Sequence, residues 1–297
     1  MKKLIIYSTL FLILQACVDK PMKNDSFDSE ETKAVMEEVA QSIGVQTDGL
    51  ISNFLDATAS LGPGGFNQPE IMPTQQPDSS IIGNATNMKL SVDAKTGIHT
   101  LEFDRSFQAS GFSKNVSAIL KYLYKNKSGM PVFMPRRHQG EVETIQFSGF
   151  KSGEIVTSFH RSGFQRTDSL YLKGMNRQNQ AITVRGYQSA KGFFESSAST
   201  EEIFRYYTTV FTFDNVQIRK QAVNERDFTR SLSGVIEFNF YSKKLQGTDT
   251  LTVNYSGKIE LMGDGNALLR TKFINEPLLI DLKLGKIIPR GGRNGRP

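Results

Sequence analysis

Residues 227–241 read DFTRSLSGVIEFNFY. Phe228, Leu232, Ile236, Phe238 and Phe240 fall on one side of a two-residue period, with Arg230 and Gly234 as exceptions. Thr229, Ser231, Ser233, Glu237 and Asn239 fall on the other. Successive side chains of a strand point to opposite faces, so the stretch predicts a long, half-buried β-strand. The same period continues downstream. In residues 250–262, Leu251, Val253, Tyr255, Ile259 and Leu261 oppose Thr252, Asn254, Ser256, Lys258 and Glu260. A turn-like spacer at 243–247 separates these two strands. Gly263-Asp264-Gly265-Asn266 then supplies the Asp-Gly pair of a tight hairpin. Residues 267–273 return, and 278–284 add a strand after Pro277. Four consecutive strands with short connections make an antiparallel meander.

Upstream the grammar is the same but less clean. Candidate strands are 88–93, 98–107, 142–150, 154–160, 164–173, 181–188, 204–213 and 216–221, with 116–124 open between helix and strand. About twelve strands in some 210 residues are too dense for a parallel fold and normal for a barrel or sandwich. The expected fold is therefore mainly β: an antiparallel meander forming a strongly curved sheet or barrel-like domain, preceded by one or two short helices.

The helices are read from residues 28–61. Asp28 followed by Glu31 has the spacing of a capping box. Val35, Met36, Val39, Ala40 and Ile43 recur at helical spacing until Gly44. Leu50, Ile51, Phe54, Leu55 and Ala57 suggest a second helix. Two helices packed on the body are the expected arrangement, with a partner-binding hairpin as the alternative. Pro63, Pro69, Pro73 and Pro77 mark residues 62–87 as a linker, residues 88–284 form the β domain, and 285–297 read as a basic, Gly-rich tail.

Composition sets the outer limits. The 297 residues are 38 % hydrophobic and 22 % charged, with 21 Phe, 9 Tyr, no Trp and one Cys. The aromatic content excludes a disordered chain. A single Cys excludes an intramolecular disulfide and any Cys-clustered metal centre, and three His leave little for a His-rich site. No cofactor or metal is expected. The net charge of +6 is uneven. Residues 18–87 carry eleven acidic and three basic side chains, whereas 88–297 carry nineteen acidic and thirty-one basic. Such asymmetry often separates a tail from a domain.

The N-terminus reads MKKLIIYSTLFLILQAC. Lys2 and Lys3 precede an apolar run from Leu4 to Leu14, which is the layout of a signal peptide and too short to span a bilayer. Leu14-Gln15-Ala16-Cys17 resembles the lipobox of bacterial lipoproteins, departing from it at Gln15. The resemblance covers the first 17 residues. It implies cleavage of residues 1–16, a diacylglycerol on the Cys17 thiol, acylation of the new amine, and a tether over 17–27. Two or three acyl chains hold a protein on a membrane without a spanning helix. Val18, rather than Asp, follows the cysteine. The enterobacterial sorting rule then implies the outer membrane.

Motifs for chemistry are sparse. Ser148-Gly149-Phe150-Lys151 and Lys95-Thr96-Gly97 resemble two motifs of penicillin-binding proteins, but their order is reversed and the expected strands lack the nucleophile's helix. No nucleophile elbow, zinc motif or phosphate loop is present. His99 and His160 fit ordinary sheet positions. Arg136, Arg137 and His138 form a basic loop, read first as an ordinary solvated loop, with a site for an anionic group such as a lipid headgroup or a polysaccharide carboxylate as the alternative. An exported address argues against nucleic acid as the partner of the basic body. Two classes lead, neither enzymatic, and an envelope hydrolase ranks behind them. One is an envelope lipoprotein with a structural or binding role. The other is a carrier of a lipid or other apolar ligand in a curved-sheet cavity. A core filled by Phe228, Ile236, Phe238, Tyr255 and Ile259 favours the first, and an open apolar cavity the second.

Overall fold

The computed structural model describes residues 30–59, 85–135, 137–158, 160–176, 178–196, 203–220 and 228–289. Two helices come first, α1 (Glu30–Ile43) and α2 (Leu50–Ala59). Twelve strands follow: β1 (Ala85–Val92), β2 (Ile98–Ala109), β3 (Phe112–Lys125), β4 (Thr144–Thr157), β5 (His160–Lys173), β6 (Ala181–Ser196), β7 (Ile203–Arg219), β8 (Leu232–Gln246), β9 (Asp249–Met262), β10 (Asn266–Thr271), β11 (Leu278–Asp281) and β12 (Lys286–Ile288). Each strand pairs antiparallel with its neighbour in the chain, giving one twelve-stranded meander. The sheet ends at β1 and β12, so it is open rather than a closed barrel.

Several boundaries differ from those the sequence predicts. Residues 112–125 form a strand, not a helix, with Val116, Ala118, Leu120, Tyr122 and Tyr124 all buried on one face. Residues 142–150 and 154–160 are mostly one strand, β4, because Gly149, Lys151 and Gly153 occupy inward positions and interrupt the apolar pattern. The segments 204–213 and 216–221 also belong to one strand, β7. Its register shifts between Thr212 and Gln217, so the buried set passes from Phe211 and Phe213 to Val216 and Ile218, and the period restarts. Residues 228–231 form a 3-10 turn, and β8 begins only at Leu232. The supposed spacer 243–247 is largely strand; the turn is the two-residue Gly247-Thr248 loop between Gln246 and Asp249. The Asp264-Gly265 hairpin forms as expected, with Asp264 Oδ1 accepting from the Asn266 amide at 2.9 Å. The first residues of the basic tail contribute β12, whose Ile287 amide donates to Glu37 of α1 at 3.3 Å.

The helices lie on the inner face of the sheet. Tyr122 of β3 donates to the Asp56 carbonyl at 3.3 Å, and Thr32 and Tyr255 of β9 share a hydrogen bond of 3.3 Å. The Val45 amide donates to the Leu282 carbonyl at 2.9 Å beyond β11. A flat sheet would place β3 and β12 about 43 Å apart, whereas α1 and α2 are only about 21 Å and 15 Å long. The hairpin reaches both sides because the sheet curls around it. Val35, Met36, Val39, Ala40, Ile43, Leu50, Ile51, Phe54 and Ala57 are fully buried in one cluster with the inward sheet residues. Each large apolar side chain so buried contributes roughly 1.5–3 kcal/mol. Asp28 of the expected capping box lies outside the described residues, and the Glu31 carboxylate turns to the sheet instead.

Candidate functional site

The concave face carries the first group of candidates, and it is occupied. Phe228, Ile236, Phe238, Tyr255 and Ile259 are all at most 8 % exposed. Charged side chains lie between hairpin and sheet, each with a defined partner. Arg205 of β7 grips Glu31 through Nη1 at 2.5 Å and Nη2 at 3.1 Å, and its Nε lies 3.0 Å from Glu38. Lys114 lies 2.5 Å from Asp48, and Lys151 pairs with Asp56. Arg166 donates to the carbonyls of Thr47 and Asp48 in the inter-helix turn. Asp168 accepts from Asn53 and from Gln188, both at 2.8 Å.

The electrostatics of this layer follow from burial and pairing. Burial pushes Glu38 up to about 8, against the pull of Arg205 and with help from Glu31. Burial also raises Asp168, more than Gln188, Lys151, Asn53 and Arg166 lower it. For Asp48, burial is outweighed by Lys114, Lys151 and Arg105, which hold its carboxyl well below the usual range. Shifted carboxylates often mark catalysis, but structural ion pairs shift them too. Here Glu38 and Asp48, on the hairpin, face the sheet, and Asp168, on the sheet, faces α2, so all three lie inside the hairpin–sheet contact.

The outer face is different. Six strands present one row in register: Ser117, Ser152, Gln165, Lys191, Thr208 and Tyr241. Beside it runs Asn115, Glu154, Gly163, Phe193 and Tyr206. These rows line an open groove of about 720 Å³. Phe193 leans over Gly163, whose added Cβ would lie 2.4 Å from the ring, so the groove has an aromatic floor where an ordinary side chain would stand. Phe193 stacks on Phe204 at 5.9 Å, and Phe204 meets Tyr206 edge-on at 4.3 Å. The Arg161 guanidinium sits 5.5 Å above the Phe193 ring and bridges Glu154 and Glu195. A second groove of about 550 Å³ opens near the other end of the same face, with Arg185 4.5 Å over the Tyr171 ring.

Such a surface offers contacts for a ligand. Ring faces, a fixed guanidinium and rows of hydroxyl and amide groups give contacts for a ligand that is both polar and flat-sided. Among the described residues no group of three or more His, Cys, Asp or Glu is placed to hold a metal ion. Ser148 and Lys151 lie on opposite faces of β4, one exposed and one buried, which ends the resemblance to a serine-lysine site.

The residues singled out from sequence lie elsewhere. Cys17 and Arg136 are outside the described residues. Arg137 and His138 are exposed in the β3–β4 connection, at the opposite end of β3 from Asn115 and Ser117, and His138 Nδ1 lies 3.0 Å from Glu141. They take no part in the large groove. His99 is buried edge-on to Tyr124 at 5.1 Å, and His160 is exposed beside Phe194. The groove itself escaped sequence reading. Its one signal is that Phe193, Tyr206 and Tyr241 are aromatic at positions where alternation calls for polar side chains. Compared with known proteins, the chain matches no family model, no curated protein and no solved structure.

Proposed function

We propose that this chain is a lipid-anchored cell-envelope lipoprotein, held at the outer membrane through acylated Cys17, with a non-catalytic binding role. It engages another envelope component through the outer face of its sheet. The observation that carries this reading is the contrast between the two faces. The concave side, where a carrier would hold its cargo, is filled by α1 and α2, while the opposite side opens a groove of about 720 Å³ lined by Phe193, Tyr206 and Tyr241. The lipobox-like Leu14-Gln15-Ala16-Cys17 supports the anchor.

The anchor is tested by Cys17→Ser, followed by membrane fractionation and labelling with radioactive palmitate. Loss of label and release from the membrane fraction are expected; unchanged association sinks the anchor. The binding role is tested by native mass spectrometry of the protein purified from its own envelope, beside a Tyr206→Ala/Tyr241→Ala variant. A stoichiometric companion lost in the variant is expected. A co-purifying lipid retained by the variant would return the carrier reading.

A further inference from the structure

The β3–β4 connection, residues 126–143, exposes three large apolar side chains. Met130, Phe133 and Met134 are 63 %, 45 % and 55 % exposed. The loop that carries them is well tied down. Asn126 Oδ1 accepts from the Ser128 and Met130 amides, each at 3.0 Å. The Val132 amide donates to the Tyr124 carbonyl at 2.8 Å, and the His138 amide to the Met134 carbonyl at 3.1 Å. Val132 and Pro135 point inward and are buried, so the neighbouring residues are turned outward by construction. The loop also packs on the β1–β2 turn, where a Cβ on Gly97 would meet Pro131 at 3.0 Å and Phe133 at 3.4 Å. That turn presents Lys95, and the loop presents Lys127 and Arg137, all exposed. The nearby acids are engaged locally: Asp93 Oδ1 accepts from the Lys95 amide at 2.8 Å, and Glu141 lies 3.0 Å from His138.

A fixed loop showing apolar side chains among cations matches the chemistry of a bilayer interface. Apolar groups sink below the headgroups while lysine and arginine meet phosphates. We propose that Met130, Phe133 and Met134 insert into a bilayer containing anionic phospholipid, with Lys95, Lys127 and Arg137 facing its headgroups. The proposal takes its setting from the lipid-anchored reading above, but its test uses unlipidated chain, so either can fail alone.

The mature chain carrying Cys17→Ser is mixed with vesicles of phosphatidylcholine alone or of phosphatidylcholine with phosphatidylglycerol, and binding is read by flotation. Binding to the phosphatidylglycerol vesicles is expected. Met130→Ser/Phe133→Ser/Met134→Ser should lower the partition coefficient at least tenfold, and each of Lys95→Gln, Lys127→Gln and Arg137→Gln about fivefold. These side chains are exposed, so an unchanged thermal melt confirms that the variants fold. Because the chain has no Trp, Phe133→Trp places a single indole at the loop, excited at wavelengths where the tyrosines do not absorb. Its emission should shift to the blue on adding phosphatidylglycerol vesicles. No flotation of the parent, undiminished flotation of the serine variant, or unshifted Trp emission with bound vesicles would each overturn the proposal.

Discussion

Phe54→Ala asks whether the helical hairpin is a separable arm or part of the core. Phe54 is fully buried at the middle of α2 and meets Phe213 of β7 edge-on, centroids 5.0 Å apart at 74°. On either side, Asn53 donates to Asp168 and Asp56 pairs with Lys151, so α2 has little freedom to slide into a vacated space. A truncated buried Phe costs about 3–5 kcal/mol when its surroundings relax only partly. For a domain of this size that corresponds to a fall in melting temperature of about 6–20 °C. The measurement is urea and thermal unfolding followed by far- and near-ultraviolet circular dichroism. Phe213→Ala should cost a similar amount, and the double variant less than the sum, because both lose the same contact. Val210→Ala, on the exposed face of the same strand, should cost within about 0.5 kcal/mol. A loss below about 1 kcal/mol for Phe54→Ala would mean that the hairpin leaves the sheet at little cost, and the filled-core argument against a carrier would fall with it.

Two further outcomes follow from the same layer and from the sheet. The Glu38 carboxyl titrates at about 8 when folded against an ordinary 4.5, so the folded chain holds a proton that the unfolded chain releases between those values. Stability from this group is thus lost as pH rises from about 4.5 to 8; Glu38→Gln should flatten that part of the stability-against-pH curve, and an unchanged slope would refute it. Gly186 sits at the β6–β7 register shift with φ of 146°, and a Cβ there would lie 2.0 Å from the Ser169 carbonyl oxygen. Gly186→Ala should cost about 2 kcal/mol or more in urea unfolding, against about 1 kcal/mol for Gly129→Ala, whose φ is also positive but whose added Cβ meets nothing.

What the sequence conveys and what it hides divide along physical lines. Alternation exposes β8 and β9 because their inward residues are Ile, Phe, Tyr and Val and their outward residues are polar. It fails on β4, where Lys151 points inward. Hydropathy assigns lysine to solvent, and the partner that permits its burial, Asp56, lies 95 positions earlier in the chain. It fails again on β7, because a register shift reverses which parity is buried. The groove is hidden for the opposite reason. An exposed Tyr206 and a half-buried Tyr207 are adjacent and chemically identical, so residue type alone does not tell which of them faces outward. The loop at residues 130–138 was half legible: the basic Arg137 and His138 stand out in the sequence, while the outward turn of Met130, Phe133 and Met134 depends on Val132 and Pro135 being drawn inward.

The charge asymmetry of the chain takes on a different meaning once the pairs are located. An acidic leader before a basic body suggests a tail beside a domain. Yet Glu31, Asp48 and Asp56 of the leader meet Arg205, Lys244, Lys114 and Lys151 of the body, within one shared core. The opposite signs are the two halves of an internal interface. Buried pairs of this kind add little net stability, because desolvation offsets most of the attraction, but breaking one leaves an uncompensated charge. They therefore set the register of the hairpin more than its strength, while Phe54, Leu50 and Ile51 supply the strength. Part of the body's positive charge is thereby consumed inside the molecule, and the basic excess gives a weaker argument for a polyanionic partner than the sequence alone suggests. What stays outside is spread over the surface, with Lys191 and Arg161 at the groove and Lys95, Lys127 and Arg137 beside the β3–β4 connection as part of it.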